Sequence, residues 1–256
     1  MYQGQYPVGA FSQPEALAGA SKLAFLRKVY GLLTTSVVAA AGGAMVALYA
    51  GTGASAATVD LGDGAVATIP PLVALFSGGW LSALLGFALM FGAFMLAGAV
   101  RHKPGVNLLA LHGAAFVSGV YIAPMIFFAM LMASTGHTLS ASPVRDAFLL
   151  AVGGFGGLSA YTLITKKDFS FLRGFLTMGF FVVFIGLLIG MFLQSGVFQL
   201  AVASAGVLLF GGYILYDTSK LLRSGNDDPI GATIQLFLDF FNLFIMLLSI
   251  LSSRRN

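Results

Sequence analysis

Hydrophobic and polar positions alternate along this chain in long blocks, not at the period of a soluble helix or strand. Seven blocks reach the roughly 20 mostly apolar residues that a bilayer crossing needs. They cover 29 to 51, 76 to 100, 108 to 133, 145 to 164, 171 to 193, 197 to 220 and 229 to 251. The pattern predicts an all-α, polytopic integral membrane protein built as a bundle of seven transmembrane helices. Connections are short except for "GTGASAATVDLGDGAVATIPP" between the first two blocks. The predicted organisation is a polar N-terminal tail over 1–24 and one transmembrane domain over 25–256.

The last block, "IQLFLDFFNLFIMLLSIL", differs from the others because polar residues recur inside it. Gln235, Asp239, Asn242, Met246 and Ser249 follow one another at steps of four and three, which keeps side chains on one stripe of a helix. Phe, Leu and Ile fill the other positions, so this helix is predicted to sit inside the bundle with its stripe inward. A carboxylate at the centre of a bilayer helix costs roughly 2.5 to 3.5 kcal/mol, so Asp239 needs a compensating role. Asp217 in "GGYILYDTSKLLRSG" is the other acid inside a block, with Tyr213 four residues before it.

Composition agrees with the block pattern. The chain has 256 residues, of which 58% are hydrophobic and 9% charged, against about a quarter charged in soluble domains. There is no cysteine, which excludes disulfides, thiolate metal sites and a thiol nucleophile. The N-terminal tail contains Glu15 and lacks the basic and apolar regions of a signal peptide. A net charge of +4 could suggest nucleic acid, but the basic residues are distributed by topology. Lys22, Arg27, Lys28, Arg101, Lys103, Lys166, Lys167, Arg173, Lys220 and Arg223 all fall on one side. The alternate connections carry only Arg145, with Asp60 and Asp63 in the long one. The positive-inside rule then makes the N-terminus cytoplasmic, and the short loops point to a bacterial inner membrane. Arg254 and Arg255 run against this, because seven crossings place them outside unless the last helix re-enters. Asp228 as N-cap and Pro229 as first helical residue favour a full crossing.

The hairpin between the two acids can be measured in residues. Asp217 lies about seven residues inside its helix, roughly 10 Å, and Asp239 ten residues inside the next, roughly 15 Å. Those helices are antiparallel, so the carboxyl groups are expected at similar depth. Two carboxylates in low dielectric cannot both ionise cheaply and tend to share one proton. Losing that proton replaces a hydrogen bond with repulsion, which makes the pair a candidate pH switch. Carboxylate oxygens also suit Ca²⁺, so Asp217 and Asp239 are candidate ligands for a transient calcium ion. A local alternative pairs Asp217 with Lys220, and Asp239 with Asn242 or a neighbouring backbone group.

Other signals are weaker. Gly153 and Gly157, and likewise Gly186 and Gly190, stand four apart and predict close intramolecular helix packing. Pro124 in the third block is a candidate hinge. His112 could relay a proton but is read as locally satisfied, and Trp80 as an interfacial or packing aromatic. No cofactor motif is present, and nothing supports a soluble-enzyme activity.

At the C-terminal hairpin the chain resembles the Bax inhibitor-motif family of transmembrane proteins. "LYDTSKLL", the acidic loop "GNDDPIGA" and "IQLFLDFFNLFIMLLSIL" carry the resemblance, with further matches at "FLRKVYGLL" and "TKKDFSFLRGFL". The resemblance implies a seven-helix bundle with its last helix central and a slow calcium leak, with Asp217 and Asp239 as the pH sensor. It implies Tyr213, Gln235 and Asn242 only as the polar surroundings that spacing already gave. Some relatives carry a basic residue facing the pair from the second helix. Here that helix has none before Arg101 at its end, so an Arg latch onto Asp217 has no partner identified and proton sharing must carry more of the switching.

Two further readings compete with the leak. Bacterial relatives include a regulator that restrains a membrane-anchored ATP-dependent protease, and Met1 to Ala20 could serve such a partner. An intramembrane aspartyl protease would also use two aspartates sharing a proton. It lacks the usual Gly-x-Gly-Asp stretch, since Leu238 and Phe240 flank Asp239.

Overall fold

The computed structural model describes residues 13–51, 58–60, 66–136, 138–193, 195–223 and 228–253. Seven helices are long and apolar enough to cross a membrane. They are α1 (Gln13–Tyr49), α3 (Trp80–Ala99), α4 (Val106–Ser134), α5 (Pro143–Thr165), α6 (Arg173–Leu193), α7 (Gly196–Arg223) and α8 (Pro229–Leu251). A short helix, α2 (Pro71–Ser77), precedes α3, and two strands, β1 (Thr58–Asp60) and β2 (Val66–Thr68), pair antiparallel in the long connection. The architecture is all-α and polytopic, as hydropathy predicts.

The boundaries differ from the blocks in two places. Helix α1 begins at Gln13, inside the segment read as a tail, and 1–12 lie outside the described residues. Ala and Leu in "PEALAGASKLAFLRK" are strong helix formers, and Pro14 falls in the first turn where its missing N–H is harmless. The second block is not one helix, because the chain breaks at Gly78 and Gly79 between α2 and α3. Gly79 takes φ 118°, a conformation that side-chain-bearing residues rarely adopt.

Helix α8 is a single rod of 23 residues, about 34 Å long at 1.5 Å per residue. Its start is built as the sequence predicts: Pro229 is in the first turn and Asp228 Oδ1 accepts from the Gly231 N–H at 2.8 Å. Its far end is tied to the α4–α5 connection, where Leu139 N–H donates to Ser253 O (3.2 Å) and Ser140 N–H to Leu251 O (3.3 Å). That connection lies across the bundle from the α7–α8 turn, so α8 crosses completely and does not re-enter. Arg254 and Arg255 lie outside the described residues.

Helix α8 is central, packing against α1, α3, α4, α5 and α7. Leu236, Phe237, Phe240, Phe241, Leu243 and Leu248 are buried on it. Helix α6 packs chiefly against α7 and turns Phe181, Val182 and Phe192 outward, as a helix facing lipid does. The closest backbone approach is between α1 and α4. A Cβ added at Gly119 would overlap the Ala40 carbonyl, and one at Gly43 would overlap the Phe116 carbonyl. Two glycines on facing helices therefore let the backbones touch, the small-residue mode of membrane packing.

The glycine pairs singled out in the sequence divide. A Cβ added at Gly186 would fall 3.0 Å from Val202 Cγ2 and one at Gly190 3.7 Å from Gln199 and Phe198, so this pair packs inside the molecule as expected. Gly153 and Gly157 have nothing within 4 Å of a built Cβ among the described residues, and there the expectation of intramolecular packing fails. Their face of α5 points away from α7 and α8. Pro124 lies inside a continuous α4, beside Ala123, which packs with Ala47, Ile69 and Val73 near the α2 end of the bundle.

Candidate functional site

Antiparallel α7 and α8 carry the two acids into the bundle from the same end. Asp217 stands six residues from the last residue of α7 and Asp239 ten from the first of α8, about 9 and 15 Å deep at 1.5 Å per residue. Side chains on a helix lean toward its N-terminus. Asp217 on α7 therefore leans deeper while Asp239 on α8 leans toward the end, and the lean closes most of the mismatch. The two carboxyl groups come within hydrogen-bonding reach of each other. Asp217 is half-buried and Asp239 is 6% exposed.

Oxygen Oδ2 of Asp239 is buried without a hydrogen-bond donor among the described residues. Two ionised carboxylates offer each other acceptors only, whereas one proton between them supplies the donor that Asp239 lacks. The local pairing of Asp239 with Asn242 does not hold, because the Asn242 amide donates to Leu238 O at 2.8 Å on its own helix. Lys220 reaches Gln235 Oε1 at 3.5 Å and acts on Asp217 through space. Tyr213 O–H donates to Leu176 O at 3.1 Å, tying α7 to α6 while its ring stays beside the pair.

At the basic end a cavity of about 180 Å³ opens beside Asp217, lined also by Arg101, Lys220, Asp228 and Gln235. Arg101 follows α3 and places its guanidinium Nε 3.2 Å from Asp228 Oδ2, in the wall of the cavity that Asp217 lines. Its ion pair is with Asp228 and not with Asp217. Nothing in the sequence says that the α3–α4 connection meets the start of α8. Asp228 was legible as a cap but not as a partner of Arg101, and it fills both roles with its two oxygens.

The same end carries a second pair. Asp168 accepts from the N–H and hydroxyl of Ser170 (2.7 and 2.6 Å), and these bonds hold its carboxyl below the usual carboxylate range. Arg223 lies 2.7 Å from it, joining the α5–α6 connection to the end of α7. His112 bonds Leu108 O on its own helix, as read from the sequence, and also Thr35 Oγ1 on α1, at 2.8 Å each. Trp80 is exposed at the start of α3, where an interfacial aromatic belongs.

For a metal the donor set is thin. Among the described residues no three His, Cys, Asp or Glu groups cluster. Ca²⁺ takes six to eight oxygens, so Asp217 and Asp239 could hold one only in passing, with water completing the shell.

The family model described as "Inhibitor of apoptosis-promoting Bax1" matches residues 22–256. An uncharacterized membrane protein of Vibrio cholerae is 34% identical over 233 residues, covering 90% of each chain. The modulator of FtsH protease YccA of Escherichia coli K12 is 34% identical over 189 residues, 72% of this chain and 80% of its own. The Golgi anti-apoptotic protein of vaccinia virus strain Lister is 30% identical over 248 residues, 94% of this chain and 91% of its own.

Proposed function

The chain belongs to the Bax inhibitor family, and from that premise we propose that it is a pH-sensitive leak pathway for calcium in a bacterial inner membrane, with its N-terminus cytoplasmic. The observation that carries the reading is the pair Asp217 and Asp239, two acids in contact inside an apolar bundle. Calcium is the cargo. The cavity beside Asp217 is the mouth, and the carboxyl pair is the first charged station beyond it.

The groups facing the pair and its mouth are Tyr213 and Lys220 on α7, Arg101 after α3, and Asp228 and Gln235 at the start of α8. With one proton the two carboxyl groups bridge α7 to α8. Without it they repel, and the hairpin is biased toward a second packing. Calcium flux into proteoliposomes between about pH 5 and 9, a window bracketing carboxylates perturbed by burial, tests this. Wild-type flux is expected to vary with pH, and Asp217→Asn and Asp239→Asn each to flatten the variation. A purified wild type that passes no calcium anywhere in the window overturns the leak.

A second reading is favoured by the relative named as a modulator of FtsH protease. In it the chain restrains a membrane-anchored ATP-dependent protease, with the N-terminal segment as the contact. Deleting residues 2–12, which precede α1, is expected to abolish restraint of the protease and leave ion flux unchanged.

A further inference from the structure

A second cavity, about 190 Å³, lies between α6, α7 and α8 toward the end of the bundle opposite the basic face. Gly190, Gln199, Val202 and Ser249 line it. Ser249 belongs to the same stripe of α8 as Gln235, which lines the first cavity, and the two stand fourteen residues apart, about 21 Å. Two recesses, each with polar residues in its wall, thus reach one stripe of one helix from opposite ends of the bundle. Asp239, Asn242 and Met246 occupy the stripe between them.

These three residues differ in what they offer a cation. Asp239 lies one turn in from Gln235 and carries a carboxyl group. Asn242 commits its amide N–H to its own helix but keeps a carbonyl oxygen. Met246, one turn in from Ser249, is buried and offers only a thioether, a weak acceptor. It faces a notch on α7: a Cβ at Gly206 would fall 2.6 Å from its Sδ and 2.7 Å from its Cγ. Gly206 lies one turn along α7 from Val202, so the notch adjoins the second cavity.

We propose that Met246, seated in the notch of Gly206, is the constriction separating the aspartate-lined half of the path from the opposite cavity. The inference rests on the cation-pathway reading and adds to it a gate distinct from the pH-sensing pair. An apolar constriction closes a path by excluding water. Methionine suits the role because it is unbranched, with three rotatable bonds beyond the backbone. It can leave the notch without movement of either helix.

The test uses the full chain in calcium-indicator vesicles, comparing wild type, Met246→Ala and Leu208→Ala, the last a control at a position of α7 exposed toward lipid. Met246→Ala is expected to raise flux several-fold while keeping its pH dependence, and Leu208→Ala to leave flux unchanged. The chain has no cysteine, so Ser249→Cys and Met246→Cys can be labelled in folded protein with a water-soluble thiol reagent. Ser249→Cys is expected to react readily and Met246→Cys slowly. If wild type leaks but Met246→Ala leaks no faster, the constriction is elsewhere and the pathway reading stands. If neither wild type nor Met246→Ala passes calcium, both readings fall. A leak in Met246→Ala from a silent wild type overturns a native leak but supports the pathway and its plug, and equal fast labelling at both positions overturns the plug.

Discussion

The α1–α4 seam, a parallel helix pair, and the antiparallel α7–α8 hairpin stand in the same bundle, yet they are closed by opposite means. Along α1 and α4, Gly43 and Gly119 remove side chains so that backbone meets backbone at Phe116 and Ala40. No titratable side chain takes part in these two backbone approaches, and a packed backbone has no second low-energy arrangement nearby. Along α7 and α8 the contact runs through Asp217 and Asp239, a flexible methionine and two flanking cavities. The first pair is built to hold one geometry. The second carries groups whose attraction depends on a proton.

That contrast is broken most severely at the seam. Gly119→Val drives a branched side chain into the Ala40 carbonyl, which cannot rotate away, and should cost about 3 kcal/mol or more. Thermal unfolding in detergent is expected to show a large, pH-independent drop; a normal melting temperature contradicts the close backbone approach. Next comes the hairpin's dependence on its proton. The bridge between Asp217 and Asp239 exists while one proton is shared and is lost as pH rises through its release. Wild-type melting should therefore fall from low to high pH by an amount that Asp239→Asn largely removes. Equal slopes in both proteins would detach the pair from stability.

Two smaller effects sharpen the account of the basic end. Asp228→Ala removes the α8 cap and should cost roughly 1 kcal/mol, seen as faster amide exchange at Gly231; unchanged exchange there contradicts the cap. Asp168 is held below the usual carboxylate range by Ser170. Its contribution is therefore present above the ordinary carboxylate pKa and lost only as pH falls below it. Asp168→Asn should destabilise slightly at neutral pH and not at all in strong acid. An equal loss at both extremes rules out the charge as its origin.

How much of this was legible in the sequence follows from which contacts are local. Seven spans, the Asp228 cap and the depth of Asp217 and Asp239 could be read because each depends on spacing along one or two adjacent helices. Gly43 and Gly119 could not be singled out among 33 glycines, since their role depends on α1 lying against α4. The partner of Arg101, Asp228, was hidden for the same reason, as it is set by which connections share a face. The break at Gly79 carried a visible signal, two consecutive glycines before Trp80, that the apolar run around it concealed. Met246 was legible as a member of the stripe but not as a plug, because the notch that receives it is on another helix.

The central claim is that Asp217 and Asp239 share a proton inside the bundle. Infrared difference spectroscopy of the reconstituted protein, titrated from about pH 5 to 9 to bracket perturbed carboxylates, tests it without reference to any activity. The account predicts a protonated-carboxyl band that disappears as pH rises and is altered by Asp217→Asn and Asp239→Asn alike. A band unaffected by either substitution, or altered by only one of them, would contradict the shared proton.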